Sequence, residues 1–116
     1  MPRHDDTLRM QHMLDHAREA VTFLHGRDRG DLDLDRILSL ALVRLVEFVG
    51  EAANRVSEDT RTRHPVIPWP QIVGLRNRLI HGYDSVDMDI LWKIVDQDLP
   101  LMIEELEKIL PRETQS

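Results

Sequence analysis

The feature that most constrains this chain is a repeat of apolar residues at the spacing of an α-helix. Near the N-terminus they recur at i, i+3, i+4 and i+7, which places them on one stripe of a helix. This first stripe consists of Met10, Met13, Leu14, Ala17, Val21 and Leu24. No segment shows the two-residue alternation of a half-buried strand, and aromatic residues make up only 4% of the chain. We therefore predict an all-α protein, with residues 1–116 forming one domain.

Four main helices are expected in an up-and-down bundle. Their predicted bounds are about Asp5 to His25, Leu34 to Thr62, Trp69 to His81, and from just after Ser85 or Asp87 to about Leu110. Gly26 and Gly82 are typical C-terminal stops, and Pro65 should end the second helix. Pro100 should kink the last one, because its ring clashes with a carbonyl one turn earlier.

The ends and contacts of these helices also carry expectations. Asp33 or Asp35 is a candidate N-cap for the second helix. Pro68 or Pro70 can occupy the first turn of the third, where no backbone donor is needed. Within the second helix, Gly50 lies among small residues, and we expect a neighbouring backbone to approach closely there.

Composition narrows the classes of function. The chain lacks cysteine, which excludes disulfides and thiolate metal sites. It shows neither a signal-peptide pattern nor an apolar run that could span a membrane, so we expect a soluble cytoplasmic protein. A net charge of −6 argues against a general nucleic-acid binder. Residues 60–83 nevertheless contain four arginines and no acid. This segment predicts either a patch for a specific anionic substrate or acidic partner, or a solvated loop.

The stretch GLRNRLIHGY, residues 74–83, gathers groups that can bind and cleave a phosphodiester. Arg76 can hold a phosphate at two points, and His81 can move a proton near neutral pH. Asn77 and Arg78 supply further polar groups, and Tyr83 is the only tyrosine of the chain. We expect about 0.006 chance occurrences of Arg-x4-His-x-Tyr in a chain of this composition. Together these groups can cleave RNA without a metal, with Arg76 stabilising charge on the phosphoryl oxygens, although the pattern alone favours structural roles for them.

A continuous helix through this segment would separate the two catalytic candidates. Five residues rotate about 500°, which leaves Arg76 and His81 roughly 140° apart, whereas Asn77 and Arg78 share a face with His81. The two can meet if the helix end unwinds near Gly82 or if the arginine curls round the helix. A two-fold dimer that brings two copies of the segment together is the interpretation we favour, because two histidines can divide the acid and base roles.

The sequence RNRLIHGY resembles the Arg-x4-His-x-Tyr signature of the HEPN superfamily, and residues 34–110 resemble its HepT-like branch. Arg76, His81 and Tyr83 match the signature without departure, and Asn77 fits a polar position often seen beside the arginine. The resemblance implies a dimeric helical bundle with its motifs facing across the two-fold axis. It implies a metal-independent ribonuclease, the toxin of a type VII-like toxin–antitoxin pair, which needs no cofactor.

The same resemblance implies a partner and a modification. The antitoxin would be a minimal, MntA-like nucleotidyltransferase that adds AMP to Tyr83 and silences the nuclease. The added phosphate would pair with the cations that RNA needs.

Structural roles remain open for the same residues. Arg76 can form a surface ion pair with Asp84 or Asp87. His81 can be a helix-end residue that interacts favourably with the negative end of the helix dipole, and Tyr83 can pack against the helix end as an apolar residue. These roles fit a plain helical assembly module. A further alternative is a non-catalytic dimer that binds a nucleotide or a nucleotidyltransferase.

Outside the motif, two other groups of polar residues are candidates. His12 and His16 are spaced for one metal ion, with Glu19 nearby, or they belong to a solvated face. Glu51 and Asn54 either orient the catalytic pair or face solvent.

Overall fold

The computed structural model describes residues 4–81 and 85–110, and the described chain is almost entirely helical. In chain order its elements are α1 (His4–Leu24), α2 (Asp31–Leu34), α3 (Arg36–Asn54), α4 (Glu58–Arg63), α5 (Trp69–Val73), α6 (Leu75–Leu79), β1 (Ile80–His81), β2 (Ser85–Val86), α7 (Met88–Lys93), a π-helical segment (Ile94–Asp98) and α8 (Leu99–Ile109). The predicted all-α class is confirmed. The two short strands form an antiparallel pair and are the exception to it.

The core lies between α1, α3 and the α7–α8 rod. α1 packs along most of α3, and the π-helical segment and α8 cover another side of α1. α5 and α6 lie against α3. Side chains with no exposed surface include Met10, Met13, Leu14, Leu42, Val46, Leu79, Leu91 and Leu106. The predicted stripe of the first helix thus supplies one wall of the core, because helical spacing directs all of its members to the same side.

The second predicted helix is wrong as a single element. Asp35 caps α3 by accepting a hydrogen bond from the amide of Leu38, but α3 ends at Asn54. Ser57 then caps α4 through the amide of Thr60. Asp6, which is buried, accepts hydrogen bonds from the amide and the hydroxyl of Ser57. A side chain from α1 therefore fixes the break, which local propensity does not reveal.

Arg61 secures the same break from the other side. Its guanidinium donates to the carbonyl oxygens of Ala53, Asn54 and Val56, each at 3.0 Å. These carbonyls belong to the end of α3 and the turn after it, where helical partners are lacking. Arg61 is therefore a structural residue.

The third predicted helix is also divided and ends early. Pro70 lies in the first turn of α5, as expected, but the chain bends at Gly74 before α6 begins. α6 ends at Leu79, and Ile80 is already extended, with φ −92° and ψ 119°. The carbonyl oxygen of Leu79 accepts a hydrogen bond from the amide of Asp87, at 2.8 Å, as the chain returns towards α7. The predicted stop, Gly82, lies outside the described residues.

The start of the fourth helix agrees with the sequence prediction. Asp87 caps α7 by accepting from the amides of Asp89 and Ile90. A π-helical segment precedes Pro100, the position of the predicted kink. The amide of Leu99 reaches back to the carbonyl of Ile94, the five-residue step of a π-helix. This wider turn accommodates the proline ring without ending the rod.

The expected close approach at Gly50 is confirmed. A Cβ atom built there would lie 3.1 Å from the carbonyl oxygen of Ile72, so the glycine lets α5 rest directly on α3. Gly26, two residues after the end of α1, has φ +76°, a conformation that favours glycine and ends the helix. Within residues 4–81 and 85–110, no helix is long and apolar enough to cross a membrane.

Candidate active site

Arg76 lies on α6 with 69% of its side chain exposed, and it is held by Glu47 of α3. Its Nε lies 3.3 Å from Oε2 of Glu47, whose own side chain is only 19% exposed. With Nε beside this carboxylate, the exposed guanidinium also carries two Nη groups that can act as donors. An arginine arranged in this way can present two donors to a phosphate.

Glu47 also joins Arg76 to a second cation. Its other oxygen, Oε1, lies 3.4 Å from Nη1 of Arg44, one turn earlier on α3. The guanidinium of Arg44 in turn lies over the ring of Phe48, 4.3 Å from its centroid. One largely buried carboxylate therefore contacts two arginines, so these three side chains together carry a net positive charge.

The other polar residues of α6 have different surroundings. Arg78 donates from Nη2 to Asp98 of the π-helical segment, at 3.2 Å. This pair borders a largely apolar groove of about 500 Å³ between the α5–α6 region and α8. Asn77 is exposed. Arg78 thus fastens α6 to the rod, and Asn77 faces solvent beside Arg76.

The catalytic candidate His81 ends β1, and the structure describes its backbone. Its Cα pairs with that of Ser85 across the two-stranded ladder, so residues 82–84 connect the two strands. Tyr83, the predicted modification site, is among these three residues and lies outside the described part of the chain, as does Asp84.

The structure removes the geometric objection raised from the sequence. The estimate of 140° between Arg76 and His81 assumed a helix through both residues, yet the helix ends at Leu79. The interpretation that Asn77 and Arg78 share a helical face with His81 is wrong for the same reason. The helical repeat therefore does not extend to the β1 backbone of residues 80–81.

The positive charges of the arginine-rich segment, residues 60–83, are compensated by acids and carbonyls from outside it. Arg61 binds backbone carbonyls, and Arg63 lies 3.2 Å from Asp59. Arg78 pairs with Asp98, and Arg76 pairs with Glu47. These partners were not foreseen from the sequence, whose two alternatives for residues 60–83, an anion-binding patch or a solvated loop, stay predictions. Arg76 is distinguished from the others by its high exposure next to the start of the β1–β2 hairpin.

Sequence reasoning missed Glu47 and pointed instead to Glu51 and Asn54. Both of these residues are exposed, and neither forms an ion pair or side-chain hydrogen bond with the described groups. The sequence signal for the role of Glu47 was Gly50, because the glycine lets α5 rest on α3. Glu47 lies three residues earlier on a neighbouring part of the same helix face, where α6 follows α5.

His12 and His16 lie beside Phe48 and Glu51 in a small pocket between α1 and α3. Among the residues that the structure describes, no three His, Asp or Glu side chains are grouped so as to hold a metal ion. The metal interpretation of this histidine pair therefore has no third ligand in the described chain.

Comparison with known proteins gives the family. The family model for "Ribonuclease HepT-like" matches residues 13–109, which include Arg76, Glu47 and His81. The chain belongs to the HepT-like ribonuclease family. The resemblance seen in the sequence is thereby confirmed, and the described fold is an example of this family's all-α architecture.

Several named relatives of this HepT-like protein cover most of its length. "Putative RNase MJ1380" from Methanocaldococcus jannaschii is 34% identical over 107 residues, 92% of this chain and 98% of the relative. "Putative RNase TTE0752" from Caldanaerobacter subterraneus subsp. tengcongensis is 33% identical over 104 residues, 86% and 93% of the two chains. "Probable ribonuclease HepT" from Thermococcus cleftensis is 37% identical over 79 residues, 68% and 72% of the two chains. No solved structure matches the chain.

Proposed function

We propose that this HepT-like protein is a metal-independent endoribonuclease that acts in the cytoplasm as the toxin of a toxin–antitoxin pair. Membership of the ribonuclease family supports RNA as the substrate. The observation that carries the catalytic assignment is the exposed guanidinium of Arg76, fixed through Nε by Glu47. Preorganised donors of this kind stabilise charge that develops during phosphoryl transfer.

The proposed reaction uses the ribose 2′-hydroxyl as the nucleophile. His81 of one copy accepts the hydroxyl proton while O2′ forms a bond to the adjacent phosphorus. The bond from phosphorus to the 5′ oxygen breaks, and the His81 of a second copy donates a proton to that oxygen. The products are a 2′,3′-cyclic phosphate and a 5′-hydroxyl end. Arg76 neutralises the negative charge on the non-bridging oxygens.

The division of acid and base roles requires a homodimer, and an exposed apolar surface supports one. Leu34 and Ile37 are 86% and 82% exposed, and Leu40 is 53% exposed. On α3, Ile37 and Leu40 lie within about 80° of Glu47 around the helix axis. A contact between two copies through this surface would bring two Arg76–Glu47 pairs towards one axis. Light scattering should give twice the monomer mass, and a monomer would contradict the shared site.

Removal of metal ions tests the enzymatic proposal directly. We expect the purified protein to cleave end-labelled single-stranded RNA equally well in EDTA and in magnesium, because the proposed chemistry uses only side chains. The control is a His81→Ala preparation made in parallel, which excludes a contaminating nuclease. Equal cleavage by both preparations, or by neither, would contradict the proposal.

The alternative function is a non-catalytic dimer that binds a nucleotide or a nucleotidyltransferase. The same exposed guanidinium favours it, since Arg76 can hold a phosphate without any reaction. In that case the protein would bind a nucleotide and leave RNA intact in every buffer. The EDTA experiment therefore separates the two functions.

Regulation by a minimal, MntA-like nucleotidyltransferase antitoxin is part of the proposal and rests on the resemblance. Tyr83 would accept AMP through its phenol oxygen, with pyrophosphate leaving from ATP. The added negative charge would compete with RNA for Arg76. Mass spectrometry after coexpression with the neighbouring gene product should find AMP on a peptide containing Tyr83. A Tyr83→Phe variant serves as the control, and AMP on that variant or on neither protein would contradict this assignment.

A further inference from the structure

We propose that a cationic pocket between α1 and α3 binds the RNA strand away from the cut, and this inference rests on the proposed nuclease function. The pocket has a volume of about 160 Å³. It is lined chiefly by Arg9, His12 and His16 of α1 and by Phe48, Glu51 and Arg55 of the α3 side. We call it the α1–α3 pocket. Its ligand would be a backbone phosphate of single-stranded RNA.

The charge of the α1–α3 pocket suits a phosphate. Arg9 and Arg55 have no acidic side chain within ion-pair distance among residues 4–81 and 85–110, although Glu51 lies one turn before Arg55. Two permanent cations therefore face one carboxylate, in a protein whose net charge is −6. A local excess of positive charge on a protein with a net negative charge favours binding of a specific polyanion over non-specific binding of any nucleic acid.

Phe48 orders one wall of the α1–α3 pocket. Its ring lies 4.9 Å from the ring of His16, centroid to centroid, with a tilt of 35°. The same ring carries the guanidinium of Arg44 at 4.3 Å. One aromatic side chain thus holds an imidazole and a guanidinium in place, which reduces the rotamer entropy that binding would cost.

The α1–α3 pocket is connected to the catalytic candidate Arg76 by a series of side-chain contacts along α3. Glu47 contacts Arg76 on one side and Arg44 on the other, and Arg44 leads through Phe48 to the pocket. From Glu47 to Arg55 the helix rises about 12 Å. Stacked nucleotides advance about 3.4 Å each, so this distance corresponds to about three or four nucleotides. An RNA held at Arg76 would therefore reach the pocket with a neighbouring phosphate.

RNA fits this surface better than a second copy of the chain does. The exposed apolar residues of α3, Ile37 and Leu40, lie near its N-terminal end, whereas Arg55 of the α1–α3 pocket follows its C-terminal end. Subunit contact at the apolar end would leave the α1–α3 pocket accessible. A polyelectrolyte ligand also suits the exposed arginines Arg44, Arg55 and Arg76, because phosphate contacts release counterions.

The test measures RNA binding in the His81→Ala background, where the RNA stays intact. The double substitution Arg9→Ala and Arg55→Ala should weaken binding of a fluorescent eight-nucleotide RNA about tenfold at 0.1 M salt. The slope of log K against log salt should fall by about 0.7 for each lost phosphate contact. A dinucleotide, which is too short to span both sites, should lose less affinity than the longer RNA. The matched control is Arg36→Ala, an exposed arginine at the other end of α3.

Two results would overturn the inference. One is an affinity and salt slope equal to those of the Arg36→Ala control. The other is a loss of the dimer in light scattering, which would assign the surface to protein contact. Circular dichroism confirms that each variant is folded. The nuclease proposal fails independently, since an unmodified protein that binds long RNA through this pocket but never cuts it would contradict only the catalytic assignment.

Discussion

Replacing His81 with alanine should lower the rate of RNA cleavage by a factor of about 10² to 10⁴, the range typical of a lost general acid or base. Replacing Arg76 with alanine should lower it by about 10² to 10³, because a preorganised donor to the developing charge is lost. Both effects should fall mainly on kcat, since the proposed contacts strengthen in the transition state. Single-turnover cleavage of a labelled RNA in EDTA measures them.

Two further variants make this prediction specific. Glu47→Gln should reduce the rate less than Arg76→Ala does. In this variant Arg76 keeps its own charge and loses only the carboxylate charge that positions it. Arg63→Ala is the matched control, because Arg63 is also an exposed arginine paired to a carboxylate, with 50% of its side chain exposed. If Arg63→Ala and Arg76→Ala lowered the rate equally, a general charge effect would replace the catalytic role.

The largest expected effect on stability comes from Asp6. Its buried carboxylate accepts hydrogen bonds from the Ser57 amide at 2.9 Å and from the hydroxyls of Ser57 and Thr60, each at 2.6 Å. Asp6→Ala would leave these donors without their acceptor. We expect a loss of about 3 kcal/mol in the free energy of unfolding, a large part of a typical domain's stability. Urea denaturation followed by circular dichroism measures it.

The neighbouring acid provides the control for Asp6. Asp5 is exposed in the same first turn of α1, so Asp5→Ala should cost less than about 1 kcal/mol through the helix dipole alone. Asp6→Asn should fall between the two, since an amide keeps one acceptor oxygen. Equal midpoints for the Asp5 and Asp6 variants would show that the buried hydrogen bonds do not hold the α3–α4 break.

Apolar spacing predicted α1 and the rod that begins after Asp87, because each repeats at helical period and has a recognisable cap. It did not predict the break after Asn54. That break depends on Asp6 and Arg61, which act across 51 residues and 8 residues of sequence, as the contacts with Ser57 and Ala53 show. Long-range hydrogen bonds of this kind leave no periodic signal in a single sequence.

For the candidate site, the Arg-x4-His spacing selects Arg76 and His81 as catalytic residues, and this assignment stays a prediction. The helical extrapolation from Arg76 to His81 does not apply, because the helix ends at Leu79. Glu47 was missed since a single acid on a long helix resembles any solvated residue. Its role becomes visible only when Gly50 brings α5, and with it α6, against α3.

The chemistry of the cut ends tests the central claim most directly. The protein is incubated in EDTA with two RNAs that differ by one 2′-deoxy substitution at the mapped cleavage site, and the products are identified by mass spectrometry. Attack by the 2′-hydroxyl predicts a 2′,3′-cyclic phosphate and a 5′-hydroxyl from the normal RNA, and no cut at the deoxy linkage. Cleavage at the deoxy linkage, or cleavage that occurs only when a divalent metal is restored, would contradict the account.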